Sequence, residues 1–501
     1  MSDARRLATG SLAQQAAQVS GLVAMFAVIT VLARELSLAE LGVYGLLSSL
    51  AGYLLIVQNA AAGAAVRAMA AARDEREGSA AFSTSALMYV GAGALAAVAL
   101  TAVGLILAAT LDLTPELARQ TRLGAAAAGA VALVGWPLTA YRDALRARAR
   151  FVLGAAAETV GIVASVGIVL ALVLADAPLW ALIGTASAIP LLAGAACMVA
   201  ARATRLPWRL RPRLATRAAA RDFLGLAGYI SLAEASSAVV YVATRVVLGI
   251  ARTPATVGLY EGPVRIHNLF RALNGAVTVT VLPTAVRYSA EGDDRRLREL
   301  LVRGCRYALA GVVPIAIVGM ALAAPILDAW LGSEFRQGGA ALAIMLSHWL
   351  LDGVLGVTGA MLVAVGAARE LARWAMAVGA TTVVLALVLV PWLGLDGAAL
   401  AMAIPYVALF PYMLRITLRA VPVPLAELAR RAFAPAWALG AALAAPLAVV
   451  RLTLDPDGPV AVAGVALIAL TVYWAAYYAL ALDRGERALV RALALRDPGR
   501  R

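Results

Sequence analysis

Apolar segments of about 20 residues recur along almost the whole chain and are separated by short polar breaks. A helix needs roughly 20 apolar residues to cross the ~30 Å hydrocarbon core of a bilayer, where only helices and closed barrels satisfy their own backbone. Hydrophobic residues make up 62% of the 501 residues and charged residues 14%, whereas soluble chains average about 25% charged residues. The sequence therefore predicts an all-α polytopic membrane protein without a soluble catalytic domain.

Fourteen segments meet this length requirement, which predicts about 14 transmembrane helices. They lie at residues 11–33, 40–66, 85–110, 123–141, 151–175, 178–201, 222–250, 257–285, 305–331, 338–367, 373–395, 396–419, 432–451 and 460–482. An even number of spans places both termini on one side of the membrane.

The arginines predict which side that is. All 43 basic residues are arginines; 34 fall in one alternating set of connecting segments, six in the opposite set, and three within spans. Because positive residues are concentrated in cytoplasmic loops, both termini are predicted to be cytoplasmic in a multi-pass protein of the bacterial inner membrane. The net charge of +14 then reflects topology and contact with anionic membrane lipids, and we expect no nucleic-acid partner.

The chain contains an internal repeat. Gly42 and Tyr44 at the start of span 2 recur as Gly258 and Tyr260 at the start of span 8, and the tripeptide Ala-Ile-Pro of span 6 recurs in span 12 at almost the same interval. A repeat of six spans places both copies in the same direction, which predicts two six-helix lobes related by a pseudo-two-fold axis along the membrane normal.

This repeat predicts three parts of the chain. Residues 1–215 form an N-lobe with spans 1 to 6, residues 216–421 form a C-lobe with spans 7 to 12, and residues 422–501 contain two additional helices and a cytoplasmic tail. Arginines alternate with leucines in the tail between Arg484 and Arg496, a pattern typical of an amphipathic helix at the membrane interface.

Few ionisable residues lie within the spans, and residues of this kind usually face a cavity or a partner. Span 8 carries two polar stripes at helical spacing, Glu261 with Arg265 and His267 with Arg271, Asn274 and Thr278. These stripes predict that span 8 lines a water-filled cavity. The full set consists of Glu158, Glu234, Arg245, Glu261, Arg265, His267, Arg271, His348 and Asp352.

Three of these residues, Arg245, Arg265 and Arg271, suggest a binding site for an anion, since a guanidinium matches phosphate oxygens bidentately. We therefore interpret them as candidates to hold a phosphate or pyrophosphate headgroup. The alternative is that the charges tie helices together, with Glu261 paired to Arg265 and Glu234 to another arginine.

The intramembrane carboxylates are candidates for coupling transport to protons or sodium ions, because burial moves carboxylates toward the titration range of a transporter. These candidates are Glu158, Glu234, Glu261 and Asp352. A structural role as ion-pair partner is the alternative for each. With two histidines and two cysteines, the sequence predicts no metal site and no cofactor.

Polar uncharged residues in the first two spans are candidates for contact with sugar hydroxyls, although such residues more often tie helices together. They are Gln14, Gln15, Gln18, Gln58 and Asn59.

Four segments resemble bacterial polysaccharide flippases of the multidrug, oligosaccharidyl-lipid and polysaccharide (MOP) exporter superfamily. They are VLARELSLAELGVY from Val31 to Tyr44, VGLYEGPVRIHNLFRALNGAVTVTVLP from Val257 to Pro283, WLGSEFRQGGAALAIM from Trp330 to Met345, and GLDGAALAMAIPY from Gly394 to Tyr406. Their order and spacing along fourteen spans make the resemblance specific.

The resemblance implies two lobes around a cationic cavity. It also implies that the protein moves a lipid-linked saccharide, such as an undecaprenyl-pyrophosphate-linked oligosaccharide, across the membrane by alternating access. Arg34 then matches the arginine near the end of span 1, and Arg67 matches a frequent basic position after span 2. Thr244 stands where many similar proteins have an acidic residue before the arginine. We expect the protein to act as a monomer.

Two alternatives stay open at this stage. A cation-coupled multidrug exporter shares the fold, but its cavity is expected to carry carboxylates rather than arginines. A membrane-bound glycosyltransferase or ligase needs room for an extracytoplasmic active site, and the longest outside loop is residues 111–122. We therefore predict a transporter without catalytic residues rather than an enzyme.

Overall fold

The computed structural model describes residues 26–221 and 242–488, together with residues 21, 23 and 223. Over these residues every regular element is a helix and no β-strand occurs, which confirms the predicted all-α class. The described residues form parts of two compact units.

The first unit comprises the described residues up to Glu261 and the segment Ala386–Leu395. Its core lies where Phe82 and Tyr89 pack against Ala140 and Ala144. Its described helices include α1 (26–35), α2 (Leu38–Ala70), α3 (Glu75–Thr110), α4 (Pro115–Ala147), α5 (Phe151–Leu174), α6 (Leu179–Ala186), α7 (Ile189–Ala203), α8 (Val242–Ala251) and the beginning of α9 (Pro254–Ala290). A short 3-10 turn, Pro212–Leu214, and a helical stretch at 217–221 lie between α7 and α8.

The second unit comprises Gly262–Leu385 and the described residues from Asp396 onward. Its largest core cluster includes Leu301, Leu309, Val357 and Met361. After the rest of α9 it contains α10 (Asp294–Ala321), α11 (Ala323–Leu331), α12 (Gly339–Ser347), α13 (Trp349–Asp352), α14 (Leu355–Ala364), α15 (Ala368–Ala420, also in the first unit at Ala386–Leu395), α16 (Leu425–Leu428), α17 (Ala434–Thr453) and α18 (Gly458–Leu480). The predicted lobes, which follow the repeat, stay a prediction.

The described helices agree with a multi-pass membrane protein. Nine of them are long and apolar enough to cross a membrane, and the number is eleven if each of two bent helix pairs is one span. α15 covers two of the predicted spans, and predicted spans 1 and 7 lie partly outside the described residues. The count of fourteen therefore stays a prediction.

Several helices start earlier than the apolar spans predict. α3 starts at Glu75 rather than residue 85, and α10 at Asp294 rather than residue 305, because the side chains of Asp74 and Asp293 accept hydrogen bonds from the first turn. Predicted span 9 is also divided, since α10 ends before Leu322. Hydropathy marks the apolar part of a helix, whereas capping residues mark its true start.

The start of α2 crosses the start of α9 with almost no space between their backbones. A Cβ atom added to Gly42 would clash with the carbonyl oxygen of Pro254, and one added to Gly258 would clash with that of Leu38. The two contacts are reciprocal, because the repeat that pairs Gly42 with Gly258 also pairs Leu38 with Pro254. This is the contact that a two-fold relation between the repeats produces, and it requires glycine at both positions.

Replacing Gly258 with leucine is expected to lower the free energy of unfolding by about 3 kcal/mol, the upper end for overpacking, because the backbone oxygen that it meets cannot rotate away. Thermal unfolding of the purified protein measures the effect. Gly275→Ala is the matched control on the same helix, where an added Cβ meets nothing within 4 Å. Equal melting temperatures for the two variants would contradict the close crossing.

The junction between the two predicted spans within α15 is a glycine. Gly394 has φ 55° and ψ −122°, a conformation that side-chain-bearing residues rarely adopt. The carbonyl oxygens that precede the break are satisfied by Arg252, whose guanidinium donates to Pro391 O at 2.8 Å and to Val390 O at 3.4 Å. The loop between α8 and α9 thereby caps the end of the first half of α15.

Candidate functional site

An ion pair joins α8 to α9 inside the first unit. Arg245 Nε donates to Glu261 Oε1 at 2.8 Å, and the two side chains are 3% and 0% exposed. The Glu261 carboxylate packs against the bare backbone of Gly45 on α2, where a Cβ would clash with it. The sequence had suggested Arg265 as the partner of Glu261, and the structure adds a partner from another helix. A buried pair of this kind connects three helices.

The two other arginines of the predicted anion site lie further along α9. Arg265 and Arg271 are both partly exposed, unlike Arg245. Six residues separate them, so their side chains leave the helix in directions about 120° apart. Arg265 and Arg271 therefore do not face the same side of α9, and an anion site made of all three arginines stays a prediction.

A second buried cluster lies in the second unit, where α9 meets His348 and α13. His267 Nε2 and His348 Nε2 are 3.0 Å apart, and His348 Nδ1 is 3.1 Å from Asp352 Oδ2. All three side chains are at most 1% exposed. Tyr406 stacks on the His348 ring, and the Trp349 ring packs at a tilt against both histidines. The i, i+4 spacing of His348 and Asp352 is compatible with their contact, whereas nothing in the sequence indicated the contact with His267, which lies on a different helix.

Two residues of the second polar stripe of α9, Asn274 and Thr278, are used for helix packing. Asn274 Oδ1 accepts a hydrogen bond from Gly356 N at 2.9 Å, and Thr278 Oγ1 donates to Gly356 O at 3.0 Å. Gly356 N lies in the first turn of α14, where backbone amides have no partner within the helix. At these two positions the stripe is polar because it satisfies another helix, whereas Arg271 of the same stripe is partly exposed. The expectation that the helix lines a water-filled cavity stays a prediction.

A charged network in the first unit was not predicted as a site. Tyr89 OH donates to Asp143 Oδ2 at 2.7 Å, and Arg142 Nε donates to Asp143 Oδ1 at 3.1 Å. Glu158, a predicted coupling residue, accepts from Arg146 at 2.8 Å and lies 3.6 Å from Arg142. The network joins α3, α4 and α5 with two positive and two negative charges. Sequence analysis missed it because span 4 was predicted to end at residue 141, whereas α4 continues to Ala147.

Three further predicted residues lie elsewhere among the described helices. Arg34 and Arg67 are exposed near the ends of α1 and α2. Gln58 donates to Thr139 Oγ1 at 2.9 Å, which ties α2 to α4. The other predicted residues, Glu234, Gln14, Gln15, Gln18 and the side chain of Asn59, lie outside the described residues.

A mostly apolar groove of about 820 Å³ runs between α9, α10 and α18 in the second unit. Its polar groups cluster toward the adjoining ends of α9 and α10, where Tyr288, Arg296 and Arg303 line it. The apolar lining includes Leu273, Val277, Val281, Leu300, Ile315 and Trp474.

Solved structures define the class of protein. A structure titled lipid II flippase MurJ, inward closed conformation, superposes with a TM-score of 0.72 over 96% of this chain and 100% of that chain at 16% identity. An inward-facing multidrug resistance MATE family transporter of the MOP superfamily gives a TM-score of 0.62 over 79% and 94% of the two chains at 14% identity. The fold is that of the MOP exporter superfamily.

The sequence identifies the family within that class. Residues 31–338, more than half of the chain, match the family described as polysaccharide biosynthesis protein, and the chain belongs to this family, of the polysaccharide flippase type. It is also 23% identical over 160 residues to the probable low-salt glycan biosynthesis flippase Agl15 of Haloferax volcanii, a match covering 32% of this chain and 34% of the relative. The chain thus aligns with about a third of the length of that curated relative.

Proposed function

We propose that the protein is a flippase that translocates an undecaprenyl-pyrophosphate-linked oligosaccharide, or a related glycolipid, across the bacterial inner membrane by alternating access. The observation that carries this proposal is the charge along α9. Arg265 and Arg271 are two partly exposed arginines on α9, a helix long and apolar enough to cross a membrane, while the buried carboxylate of the same helix, Glu261, is bonded to Arg245. Arginines within a membrane-spanning helix are costly and usually functional, and we propose that these two contact the anionic headgroup of the substrate.

Within the predicted arginine set, Arg265 and Arg271 are the residues that we propose to bind the pyrophosphate. Their angular separation suits contact with two phosphates, or with one phosphate at different stages of transport, better than a single bidentate clamp. Arg245 is better suited to a positioning role, because its guanidinium is already bonded to Glu261. Arg34 and Arg67 stay proposed as contacts near the ends of their helices.

The groove between α9, α10 and α18 supports the lipid half of the proposed substrate. Its walls are mostly apolar along its length, and arginine and tyrosine side chains lie toward one end. A polyprenyl chain requires such a path outside the polar site. Moving it from lipid into a water-filled cavity would cost about 25 cal/mol for each Å² of apolar surface exposed to water. We propose that the prenyl chain occupies this groove, while the saccharide moves in the polar interior.

The proposed topology follows the arginine distribution, with both termini in the cytoplasm and the protein acting as a monomer. Transport is proposed to be coupled to protons or sodium ions. Among the candidate carboxylates, Glu158 and Glu261 each bond an arginine, whereas Asp352 bonds a histidine. This difference in partner leads us to propose Asp352 as the carboxylate involved in coupling. Glu234 stays a candidate from the sequence.

The second candidate function is a multidrug exporter, because the MATE transporters share the fold and fold alone does not determine the substrate. A cationic drug would meet the positive charges of Arg265 and Arg271, which disfavours this function. The relatives are named as flippases and transporters rather than enzymes.

Replacing Arg265 or Arg271 with alanine is expected to lower export of the lipid-linked glycan at least tenfold, because each removes a charge-assisted contact worth about 1.5–3 kcal/mol. Export is measured as surface glycan in cells that lack the chromosomal gene and carry the variant. Arg287→Ala is the matched control, since Arg287 lies on the same helix and is exposed. Unchanged export in both variants, at normal membrane levels, would refute the proposed anion site.

A further inference from the structure

Residues 202–221, which follow the last turn of α7 and join the two predicted lobes, form a strongly basic connector. It contains seven arginines, all of them exposed, and the chain has no acidic residue from 177 to 221. We propose that the connector binds the anionic headgroups of phospholipids at the predicted cytoplasmic face of the membrane. The seven residues are Arg202, Arg205, Arg209, Arg211, Arg213, Arg217 and Arg221.

The backbone of the connector is fixed to α3. Arg209 N donates to Ser79 Oγ at 3.1 Å, and Arg211 N donates to Ser83 Oγ at 2.8 Å. Ser79 and Ser83 lie one turn apart on α3, so alternate residues of the connector bond successive turns of the helix. The backbone amides of the two arginines make these bonds, and both side chains remain exposed.

A buried tryptophan adds a third attachment. Trp208 is 8% exposed, and its indole ring lies on the bare backbone of Gly78, where an added Cβ would clash with the ring. At the start of the connector, Arg205 has φ 50° and Leu206 N donates to Ala201 O at 2.9 Å, which ends α7. The connector is therefore held in place before any ligand binds, and this lowers the entropy cost of binding.

The attachment to α3 places the connector at the depth of lipid headgroups. The apolar span of this helix is predicted to begin at residue 85, and Ser83 and Ser79 lie two and six residues before it. At 1.5 Å per residue, these positions are at most about 3 and 9 Å from the hydrocarbon boundary. The headgroup layer is about 5–8 Å thick on each side of a bilayer. The arginines beside Ser79 and Ser83 thus lie level with the lipid phosphates.

The described residues do not neutralise the charge of the connector. None of the seven guanidinium groups forms an ion pair with a carboxylate in the described part of the chain. Seven like charges so close together repel one another, and anions within a Debye length of about 8–10 Å reduce this repulsion. A guanidinium also donates to phosphate oxygens through two N–H groups at once. The connector is therefore complementary to a layer of phosphates.

The position of the connector favours phospholipid over a soluble polyanion. It follows α7, which together with α6 is long and apolar enough to cross a membrane, so lipid phosphates lie beside it without any diffusional encounter. Leu210, between two of the arginines, is 51% exposed. An apolar side chain among basic ones suits the boundary between headgroups and acyl chains, whereas a nucleic acid offers it no apolar contact.

Local fluorescence quenching of the full-length protein in phosphatidylcholine nanodiscs tests the proposal. Leu210→Cys gives an exposed labelling position on the connector, and the two native cysteines are buried. The fluorophore is quenched by added phosphatidylglycerol or phosphatidylcholine that carries the same nitroxide group. We expect half-quenching at a concentration at least about tenfold lower for phosphatidylglycerol, because three arginines surround the label. Equal concentrations for the two lipids would overturn the proposal.

Removing three arginines identifies the source of this preference. Arg209→Gln combined with Arg211→Gln and Arg213→Gln is expected to reduce the preference at least about fivefold, the effect of one arginine near an anionic surface. The matched control replaces three exposed arginines outside the connector with glutamine and should keep the preference. These are Arg295, Arg298 and Arg369. A preference that survives in the connector variant, or is lost in the control, would overturn the proposal.

Salt provides a test without removing any arginine, so it applies even if the connector variant does not fold. Raising the salt concentration from about 0.1 M to 1 M shortens the Debye length from about 10 Å to 3 Å, and the preference of the unsubstituted connector should fall at least about threefold. A preference that does not respond to salt would overturn the proposal. So would a short RNA that abolishes the preference at constant ionic strength, since the ligand would then be a soluble polyanion. None of these measurements depends on glycan export.

Discussion

Replacing Glu261 with alanine is expected to lower the free energy of unfolding by about 3–5 kcal/mol, the range for removing one partner of a buried ion pair. The loss is large because the guanidinium of Arg245 keeps its charge. Arg245 is only 2% exposed, and the alanine removes the carboxylate to which its Nε donates. The packing of Glu261 against Gly45 also leaves a void when the side chain is truncated. Thermal unfolding in detergent or nanodiscs measures the change.

The double variant Arg245→Met with Glu261→Met is the control that separates charge from packing. It removes both charges at similar side-chain length, and replacing a buried pair with apolar residues is often neutral or stabilising. We expect the double variant to recover most of the stability lost in Glu261→Ala and to export glycan. A double variant that is no more stable than Glu261→Ala would show that the ion pair is not the source of the loss. A stable double variant that exports nothing would return Arg245 to the anion site.

The apolar helices and the matching glycines Gly42 and Gly258 could be identified from the sequence because both are local or periodic properties. An apolar run of about 20 residues specifies a membrane helix wherever it lies. The correspondence between Gly42 and Gly258 was found without knowledge of packing. In the structure, the two glycines make reciprocal close contacts with the backbones of Pro254 and Leu38. Glycine was informative here because helices cannot cross so closely with any larger residue.

The partners of the buried charges could not be predicted, because they come from distant parts of the chain. Helical spacing identifies neighbours on one helix, such as His348 and Asp352, and says nothing of which face meets another helix. His267 on α9 reaches His348 beside α13, and Arg245 on α8 reaches Glu261 on α9. A polar stripe has the same composition whether it faces water or another helix, so the sequence alone did not show that Asn274 and Thr278 bond Gly356 of α14.

The charged network around Asp143 illustrates a different difficulty, the position of the helix end. Hydropathy falls at Arg142, and a window based on apolar residues therefore places the following charges in a loop. α4 instead continues to Ala147, and its last turns bury Asp143 completely. The i, i+4 spacing of Arg142 and Arg146 was the available signal, because both face Glu158 from the same side of the helix.

Asp143→Ala is expected to lower the free energy of unfolding by about 3–5 kcal/mol, as large an effect as at Glu261. The carboxylate is fully buried and accepts bonds from both Tyr89 and Arg142, so its removal leaves a buried hydroxyl and a buried guanidinium without this acceptor. Tyr89→Phe removes one bond to a charged group and should cost less, about 1.5–3 kcal/mol. Thermal unfolding of each variant gives the comparison.

Coupling between these two changes distinguishes a network from separate contacts. If the Tyr89 hydroxyl is stabilised through Asp143, the double variant Tyr89→Phe with Asp143→Ala should be about as stable as Asp143→Ala alone, since residues that share one hydrogen bond are not additive. Glu116→Ala is the matched control at the other end of α4, where Glu116 and Arg119 form an exposed pair, and it should leave the melting temperature unchanged. Additive losses for Tyr89 and Asp143 would contradict the network. A non-additive result would instead show that α3, α4 and α5 are joined by one cooperative set of charges, in which Glu158 stabilises the unit rather than carrying an ion.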